Sequence, residues 1–390
     1  MNIGIAAIFR DERDYILEWL AWHLIAGFEN FYIADNGSSD GTLALLEALE
    51  LAGYIKLLYQ PVQPHSSQLK AYERILQNAA GECHALLFID ADEFLCHDSF
   101  IDGEEYRSVH SLLEDPTVGA VALSWRLFGS SGREHFDSLP VIERFDRHAE
   151  YPQSRLIKSV VKIPYVTHMS VHYGKLQDGY TYVDAQGQVI GDFITFKNGQ
   201  PARDSVSGMR EAACSTPLMI NHYVVKSKQE FVEKKIRRGD AMLGINYERS
   251  MDFFKEHDRN ELRFNFPSDK ISRLKEKIDE LTDELNRLTP LKLKLRGHVD
   301  FSSPQKLHGW IVSSMGTSED LEVNIFVNGI YQGSTRPALY RPDLALSGIS
   351  ISGLSGFTWV HLNPLRAGDT VEIKINANPF SITNGLAVIG

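Results

Sequence analysis

The first ninety residues alternate between short apolar runs and amphipathic stretches. The apolar runs cover residues 2–8, 31–34, 54–58 and 85–89, and hydrophobic residues at helical spacing follow the first three of them. Continuous apolar runs of this length are typical of strands that are buried on both faces, and their alternation with helices indicates right-handed crossovers. We therefore expect an α/β domain with a mostly parallel sheet in this part of the chain.

Polar side chains follow the predicted strands. Asp90 and Asp92 come directly after the fourth apolar run, Asp35 and Asn36 after the second, and Arg10 after the first. The C-terminal ends of parallel strands form the crevice in which open α/β sheets bind ligands. Two carboxylates at i and i+2 can hold Mg²⁺ or Mn²⁺ while water and substrate phosphates take the remaining positions. A solvated acidic turn is the alternative interpretation of this D-x-D motif.

Several ordered motifs resemble a known family. R-D-E follows the first strand, D-N-G-S-S-D-G-T the second and F-I-D-A-D-E-F the fourth, and W-R-x-F-G-S-S-G and N-H-Y-x-x-K-S occur downstream. Residues 1–260 are thereby similar to the GT-A glycosyltransferases of family 2, and most of all to the bacterial branch that is similar to family 92. The resemblance implies a Rossmann-like GT-A domain over residues 1–262. It also implies an inverting, hexosyltransferase-like enzyme of carbohydrate biosynthesis, which moves a sugar from a nucleotide diphosphate donor, a UDP-sugar, to a glycan or another hydroxyl acceptor.

The resemblance assigns roles around the D-x-D motif. Asp92 would bind Mn²⁺ or Mg²⁺ directly, and Asp90 would reach the ribose or the metal through water. Glu93 would stand behind these ligands or cap a following helix. The candidate contacts of the nucleotide are Arg10, Asp35, Asn36, Lys70 and Asp90. A simple Asx-turn at Asp35 and a solvated Lys70 are the corresponding alternatives.

A further metal ligand and a catalytic base are also expected. Many GT-A enzymes complete the metal shell with a histidine from the later part of the domain, and the resemblance favours His172 or His222 without deciding between them. Inverting transfer needs a carboxylate that takes the proton of the acceptor hydroxyl. Glu143 is the candidate base and Glu134 the nearest alternative, although neither fits the usual acid-acid signature of family 2.

Three other features have two interpretations each. Trp125 could form the wall of a sugar pocket or pack in the core, and a flexible glycine-serine loop over residues 129–132 follows it. Lys158 and Lys162 could face a pyrophosphate or water. The basic segment 226–238 could close over phosphates as a lid or form a solvated helix face.

The last third of the chain has another pattern. Large aliphatic residues at heptad spacing predict a helix over residues 263–290 that ends at Pro290. The predicted seam consists of Ile271, Leu274, Ile278, Leu281, Leu285 and Leu288. A coiled coil between two copies of the chain is favoured slightly over packing onto the chain's own domain. From residue 291 to residue 390, alternating strands and the hairpin signal Asn328-Gly329 predict a small all-β sandwich. It resembles accessory domains of bacterial glycosyltransferases, and a carbohydrate-binding role would rest on that analogy.

Composition narrows the functional classes. The 390 residues carry a formal net charge of -11, which argues against a general nucleic-acid binder. No apolar run approaches a membrane span, so a cytoplasmic protein is expected, with a peripheral position at the inner face of the membrane as a second option. The scattered Cys83, Cys96 and Cys214 fit reduced thiols better than disulfides or zinc. A nucleotidyltransferase, a nucleotide-sugar hydrolase and an inactive carbohydrate-binding protein are the alternative functions.

Overall fold

The computed structural model divides the chain into two compact units, Met1–Asp283 and Glu284–Gly390. It describes residues 1–62, 65–150, 156–191, 193–197, 200–203, 209, 217–235, 249–292, 295–303, 305–313, 318, 321–360, 364–375 and 386–388. The division falls inside a long helix, whereas the sequence places domain boundaries near residues 262 and 290. Cys83 and Cys96 are buried free thiols, and Cys214 lies outside the described residues.

The first unit alternates strands and helices along its first half. Its elements up to the sixth strand are β1 (Ile3–Phe9), α1 (Ile16–Ile25), β2 (Asn30–Asp35), α2 (Thr42–Leu51), β3 (Lys56–Tyr59), α3 (Ser67–Ala79), β4 (Ala85–Phe88), β5 (Glu93–His97), α4 (Glu104–Leu112) and β6 (Val118–Leu127). Glu93 therefore begins a strand, and the expectation that it caps a helix is wrong. The predicted strands and helices before β4 lie within two residues of the observed ones.

Mostly shorter elements follow in the second half of this unit, up to the long helix α8, which continues past the end of the unit at Asp283. They are α5 (Val141–Arg144), β7 (Arg147–His148), β8 (Ile157–Lys162), β9 (Val166–Met169), β10 (Gly174–Leu176), β11 (Thr181–Asp184), β12 (Val189–Ile190), β13 (Ile194–Lys197), β14 (Gln200–Arg203), β15 (Leu218–His222), α6 (Lys228–Glu230), α7 (Met251–His257), β16 (Leu262–Arg263) and α8 (Ser268–Lys292). A 3-10 turn covers Ile163–Tyr165 and a π-helical turn covers Phe231–Lys235. The last helix continues two residues past Pro290, a difference within the usual uncertainty of helix ends.

Ten strands form the central sheet of this unit. Its main path is β12-β11-β6-β8-β4-β1-β2-β3, and β15 joins β6 to β5 at the side. Strand β1 runs parallel to β2 and β4, and β2 runs parallel to β3. Every residue of β1 and β4 is buried, as the continuous apolar runs predict. The predicted α/β class with a mostly parallel sheet is confirmed.

The directions of β8 and β15 determine where the D-x-D turn lies in the sheet. Strand β8 is antiparallel to both β4 and β6, and β15 is antiparallel to β5 but parallel to β6. The turn between β4 and β5 therefore lies beside the ends of β15 and β6. The indole Nε1 of Trp19 donates to the carbonyl oxygen of Asp90 at 3.1 Å, which ties this turn to α1.

The second unit consists of two small antiparallel sheets with a common core. Its elements are β17 (Leu295–Ser303), β18 (Lys306–Ser313), β19 (Val323–Val327), β20 (Ile330–Thr335), α9 (Pro342–Leu346), β21 (Gly356–Val360), β22 (Thr370–Ile375) and β23 (Leu386–Val388). Residues such as Leu307 and Phe357 from one sheet and Ile325 and Val371 from the other form the core. Asn328 and Gly329 both have positive φ, 51° and 78°, as the predicted two-residue hairpin turn requires. The predicted antiparallel β-structure of this unit is confirmed, and the short helix α9 is an element that the sequence analysis did not predict.

Candidate active site

A buried lysine holds the acidic turn. Lys158 Nζ lies 2.8 Å from Asp90 Oδ2 and 3.4 Å from Glu93 Oε2, and its side chain is fully buried. Burial alone would raise the pKa of Asp90, but the charge of Lys158 lowers it below the usual value. Burial also raises the pKa of Glu93 well above the usual carboxyl value. Lys158 thus faces carboxylates inside the protein, and Lys162 donates to the carbonyl oxygen of Asp115.

Helix α3 reaches the same aspartate through an amide. Gln68 Nε2 donates to Asp90 Oδ1 at 3.0 Å and to Tyr72 Oη at 2.9 Å. Both side chains are buried, and their i, i+4 spacing puts them on the face of α3 that packs on the sheet. Lys70, the predicted nucleotide contact on this helix, is exposed instead. Tyr72 Oη also donates to Asp90 Oδ1, at 3.4 Å, so α3 contacts the D-x-D turn through Gln68 and Tyr72, two side chains that the sequence analysis missed.

Asp92 faces a histidine at the end of β15. Asp92 Oδ1 lies 3.5 Å from His222 Nε2, and both side chains are more than nine-tenths buried. The backbone holds this pair, because the N–H of Tyr223 donates to the carbonyl oxygen of Asp92 at 2.9 Å. The ring of Trp125 packs on the imidazole of His222 with 4.3 Å between ring centroids. The two candidate ligands therefore come together beside Trp125, for which the sequence left a sugar-pocket wall and core packing as alternatives.

The other candidate histidines occupy different positions. His172 lies on the other flank of Trp125, 5.3 Å from it between ring centroids, and its Nδ1 is 3.1 Å from the carbonyl oxygen of Ile157. Burial lowers the pKa of His172 to about 3, and the charge of Lys158 adds to this effect. His168 is exposed on β9. Of the two histidines that the resemblance leaves open, the geometry favours His222.

The turn after β2 is built around Asp35. Asp35 Oδ2 accepts the backbone N–H groups of Gly37 and Ser38 at 3.0 and 3.3 Å. Asp35 Oδ1 is buried without a hydrogen-bond partner among the described residues. Burial raises the pKa of this carboxyl group. Asn36 is also buried, and its Nδ2 donates to the carbonyl oxygen of Gln60 at 3.1 Å, so its amide nitrogen fastens the turn to the next strand.

The loop after β1 is tied to this turn. Asp11 Oδ1 accepts the N–H of Ser39 at 2.7 Å, and the N–H of Glu12 donates to Thr42 Oγ1 at 2.8 Å. Arg10 precedes these residues and its side chain is about one quarter exposed. Arg10 and Asp35 therefore lie in two loops that hydrogen bonds hold together at the same edge of the sheet.

The glycine-serine loop after Trp125 is fixed. The N–H of Ser130 donates to Asp258 Oδ1 at 2.6 Å, and the N–H of Ser131 donates to Asn260 Oδ1 at 2.8 Å. A Cβ atom at Gly129 would collide with the backbone of Arg259, so only glycine fits this contact. The expectation of a flexible loop is wrong, because side chains from about 130 residues downstream hydrogen-bond its backbone.

The predicted catalytic base lies in an ion pair. Glu143 is on α5, and its Oε2 is 2.6 Å from Nζ of Lys275 on α8. Glu134 is 3.2 Å from Lys228 Nζ at the surface. Within the described chain, no hydrogen bond or ion pair joins either glutamate to Asp92.

The basic segment has a buried beginning. Lys226 is 3% exposed, has a positive φ of 54°, and places its ammonium group 4.1 Å from the ring centroid of Tyr15. Ser227 caps α6 through a reciprocal pair of hydrogen bonds with Glu230. Residues 236–238 lie outside the described residues. The described part of this segment thus begins with a lysine packed on Tyr15, the residue before α1, and does not form one continuous solvated helix face.

A family comparison adds to this geometry. The model of Glycosyltransferase family 92 matches residues 3–238, which is more than half of the chain. The chain belongs to glycosyltransferase family 92. The resemblance read from the motifs is confirmed at the level of the family.

The alignments with curated family 92 proteins cover only part of this chain and only part of each relative. A family 92 protein of Oryza sativa subsp. japonica is 25% identical over 214 residues, 53% of this chain and 35% of its own length. A family 92 protein of Ricinus communis is 25% identical over 239 residues, 60% of this chain and 37% of its own length. The chain thus spans little more than a third of the length of these curated relatives.

Solved structures show weaker likeness. The structure of S. aureus TarS 1-349 in complex with UDP-GlcNAc is 15% identical, covers 42% of this chain and 46% of its own, and has a TM-score of 0.28. Full S. aureus TarS is 11% identical, covers 98% of this chain and 77% of its own, and has a TM-score of 0.30. At these TM-scores the likeness supports no conclusion about this family 92 chain.

The side chains at the site of this family 92 protein include ligands that a divalent cation could use. Among the described residues, no three His, Cys, Asp or Glu side chains stand together as a ready ligand set. Asp92 and His222 form a pair with one hard oxygen and one imidazole nitrogen. Mg²⁺ and Mn²⁺ in nucleotide sites are held by one or two protein ligands, with water and phosphate oxygens supplying the rest. The pair fits such a cation.

None of the helices in the described part of this family 92 chain is both long enough and apolar enough to cross a bilayer.

Proposed function

We propose that this family 92 protein is a metal-dependent glycosyltransferase. It would transfer a sugar from a UDP-sugar to a hydroxyl group of a glycan or another acceptor, with inversion at the anomeric carbon. The observation that carries the proposal is the 3.5 Å pairing of Asp92 with His222 at the rim of the sheet. UDP as the nucleotide and inversion as the outcome are supported by the motif resemblance.

Asp92, His222 and residues around them would each bind a different part of the donor. Asp92 and His222 would hold Mn²⁺ or Mg²⁺, which, when bound, supplies positive charge for the leaving diphosphate. Asp90 is oriented by Lys158 and Gln68 and would take the ribose or a water molecule of the metal shell. Fixing such a carboxylate from behind restricts its orientation before the donor arrives.

Asp35 would recognise the nucleotide. Its Oδ2 is engaged by backbone N–H groups, whereas its buried Oδ1 has no partner among the described residues. An unpaired buried acceptor costs free energy that a donor group of a base or ribose would restore. Arg10 lies in the neighbouring loop and would contact the base or a phosphate.

A donor panel tests the proposal. Thermal shift would be measured with UDP-, GDP- and dTDP-sugars, each with and without Mn²⁺, followed by assay of transfer to added glycans. A UDP-sugar with Mn²⁺ should raise the melting temperature, since a ligand at about 100 times its Kd stabilises the folded state by roughly 2.7 kcal/mol. Hydrolysis without transfer would support a nucleotide-sugar hydrolase, and binding without turnover would support a carbohydrate-binding protein. Either result would overturn the proposal.

Two variants locate the donor site. Asp92→Asn should abolish the Mn²⁺-dependent part of the shift, and Asp35→Ala should weaken UDP binding with or without metal. Asp115→Asn is the control, because Asp115 lies just before the first residue of β6, at the end of that strand away from Trp125. Full Mn²⁺-dependent transfer by Asp92→Asn would refute the metal assignment.

A further inference from the structure

The second unit exposes a group of large apolar side chains. Residues 336–355 join β20 to β21 and include α9. Five hydrophobic residues of this connection are between 43% and 89% exposed. Isolated exposed apolar residues are ordinary on a protein surface, whereas a contiguous group of them marks an interaction site. This apolar cluster consists of Leu339, Tyr340, Leu346, Ile351 and Leu354.

Gly353 lies at the centre of the apolar cluster. A Cβ atom at this position would be 2.5 Å from Tyr340 Cε2 and 3.3 Å from Ala345 Cβ, so the tyrosine ring and α9 both approach the glycine closely. The remaining members of the cluster adjoin these three positions in the chain or lie two residues before the glycine: Leu339, Leu346, Leu354 and Ile351. The five side chains therefore belong to one surface.

Backbone hydrogen bonds hold this surface in place. Leu339 and Gly356 exchange two hydrogen bonds of 2.8 and 2.9 Å, and the N–H of Ile349 donates to the carbonyl oxygen of Leu344 at 2.9 Å. Leu344, on α9, is itself buried. The connection is thus ordered before it meets a partner, which lowers the entropy that binding costs.

Leu346 and Ile351 project from the surface. Leu346 is 89% exposed and Ile351 is 66% exposed, and the two residues flank the turn that follows α9. Side chains with so little protein around them can enter a fluid apolar phase without a shaped pocket. Tyr340, which is 62% exposed, adds an amphipathic ring of the kind that is enriched at membrane–water interfaces. Peripheral segments that enter the boundary of headgroups and acyl chains have this combination of aliphatic and aromatic side chains.

The charges of the connection suit an anionic surface. Its charged residues are Arg336, Arg341 and Asp343, two cations and one anion, in a chain whose formal net charge is -11. Arg341 donates to both carboxylate oxygens of Asp343, at 2.9 and 2.7 Å, so these two charges balance each other. Arg336 is exposed and leaves the connection with a net positive charge. Anionic lipid headgroups attract arginines near an apolar surface, and the one acid of the connection is already neutralised.

We propose that the apolar cluster of the second unit is a docking surface for an anionic lipid bilayer. Leu346 and Ile351 enter the boundary between headgroups and acyl chains, Tyr340 lies at the level of the headgroups, and Arg336 meets a lipid phosphate. The contact is peripheral. It does not depend on the proposed transferase activity, because every proposed donor contact lies in the first unit.

A second copy of this chain is the alternative occupant of such a surface. Two copies related by a twofold axis would pair the apolar cluster with itself and with the same arginines. That arrangement brings Arg336 of both copies toward one interface, where like charges oppose each other, whereas a bilayer supplies the opposite charge. The alternatives differ in what substitutions in the cluster change, which is vesicle binding in one case and oligomeric state in the other.

Cosedimentation of the full chain with vesicles tests the proposal. The vesicles are POPC alone and a three-to-one mixture of POPC and POPG. Leu346→Ser with Ile351→Ser should lower the partition coefficient on mixed vesicles by about tenfold or more, because two aliphatic side chains no longer leave water. Arg336→Gln should lower it about fivefold on mixed vesicles and much less on POPC alone.

The matched control uses exposed aliphatic residues of the same unit outside the cluster. Ile330 begins β20 and Val360 ends β21, so each lies at the end of its strand remote from residues 336–355. They are 67% and 59% exposed. Ile330→Ser with Val360→Ser should leave vesicle binding within about twofold of the native value. The urea midpoint of each variant should stay close to the native one, since surface substitutions rarely change stability by much.

A second measurement reports insertion without loss of binding. Brominated lipid should quench the added fluorescence of Leu346→Trp, whereas Ile330→Trp should be quenched little. A native chain that does not sediment with mixed vesicles overturns the inference, and so does equal binding by the chain with Leu346→Ser and Ile351→Ser. A dimer in light scattering that the same double substitution splits, without vesicle binding, assigns the surface to a second copy and overturns it as well.

Discussion

The choice between the candidate histidines can be tested at the level of single residues. His222 faces Asp92 at 3.5 Å, whereas His172 is directed to the carbonyl oxygen of Ile157 and His168 is exposed. We expect His222→Ala to weaken Mn²⁺ binding at least tenfold, because it removes a direct ligand. His172→Ala and His168→Ala should stay within about threefold of the native chain in the same titration of Mn²⁺, followed by EPR. Equal affinities in all three variants would remove histidine from the metal shell.

The stability of the protein should depend on pH through a buried histidine. His23 on α1 is fully buried, with Nδ1 2.8 Å from the carbonyl oxygen of Trp19 and Nε2 accepting the N–H of Leu95 at 3.3 Å. Burial lowers the pKa of His23 to about 3, below the ordinary value of 6.5. The unfolded chain therefore binds this proton more tightly. The stabilising effect of neutral His23 is complete above pH 6.5 and is lost as the pH falls from 6.5 toward 3.

The measurement is urea unfolding between pH 7.5 and pH 5. By linkage, the His23 contribution to the free energy of unfolding falls by about 2 kcal/mol at pH 5. His23→Gln cannot titrate and should show a correspondingly flatter profile, whereas His135→Gln, at an exposed position, should follow the native chain. A His23→Gln profile as steep as the native one would contradict the assignment.

The sequence predicted the residues that stand in motifs, missed Gln68, and did not show that Lys158 faces carboxylates. Asp90, Asp92 and the histidine pair could be chosen because they stand in ordered motifs after apolar runs. Gln68 and Lys158 reach Asp90 from 22 and 68 positions away along the chain. A lysine within a strand normally points to water, so only the tertiary arrangement reveals that Lys158 is buried between carboxylates.

At the scale of elements, the ion pair between α5 and α8 bears on the catalytic base. The Glu143 and Lys275 side chains are 30% and 42% exposed, and such surface pairs contribute little to stability. Loss of a true general base costs about 10²- to 10⁴-fold in rate. Because Glu143 is engaged by Lys275, we expect Glu143→Gln to keep the transfer rate within about tenfold of the native value.

Lys275→Gln is the matched control for that variant. If both substitutions leave kcat and donor binding nearly unchanged, the pair is a surface contact between helices. A loss of at least 10²-fold in kcat for Glu143→Gln alone, with UDP and Mn²⁺ affinity intact, would restore Glu143 as the base.

Element positions followed from periodicity wherever one pattern dominated. The runs before β4 gave strands and helices to within two residues, and the period-two pattern with Asn328-Gly329 gave the β19-β20 hairpin. Periodicity could not show that β5 begins at Glu93. This strand has only five residues, and the polar or charged residues at and next to its ends hide its apolar pattern. It also could not show that Asp258 and Asn260 fix the loop at Ser130 and Ser131, since those contacts are long-range.

At the scale of the whole molecule, the heptad seam bears on association. Leu274 and Leu281 are both fully buried within a single chain, and Lys270 on the same helix pairs with Asp102 at 2.9 Å. Packing within the chain, the alternative to a coiled coil, therefore accounts for these two positions. We expect a monomer at micromolar concentration by light scattering. Leu274→Glu with Leu281→Glu should lower the urea midpoint, whereas a native dimer that this variant splits without loss of stability would support the coiled coil.

Aromatic residues after position 260 pack on the first half of the first unit, and a truncation that removes them should destabilise it. Phe266 packs on Trp22 with 5.2 Å between ring centroids, and Phe264 lies 6.0 Å from Phe128 in the same measure. Phe266 is 7% exposed. Truncating a core phenylalanine to alanine typically costs about 3–5 kcal/mol. A chain ending at Asn260 keeps every proposed donor contact in sequence but loses these supports.

We therefore expect two truncations to differ. A chain ending at Lys292 retains α8 and should bind UDP and Mn²⁺ like the full chain, because all proposed donor residues and both phenylalanines are present. A chain ending at Asn260 should unfold at much lower urea concentration, and Phe266→Ala in the full chain should reproduce part of that loss. Circular dichroism in urea and UDP titration would measure both effects. If the Lys292 truncation folds but loses all donor binding, residues 293–390 contribute to the site; if the Asn260 truncation is as stable as the full chain, the aromatic packing after β16 is not what stabilises the first unit.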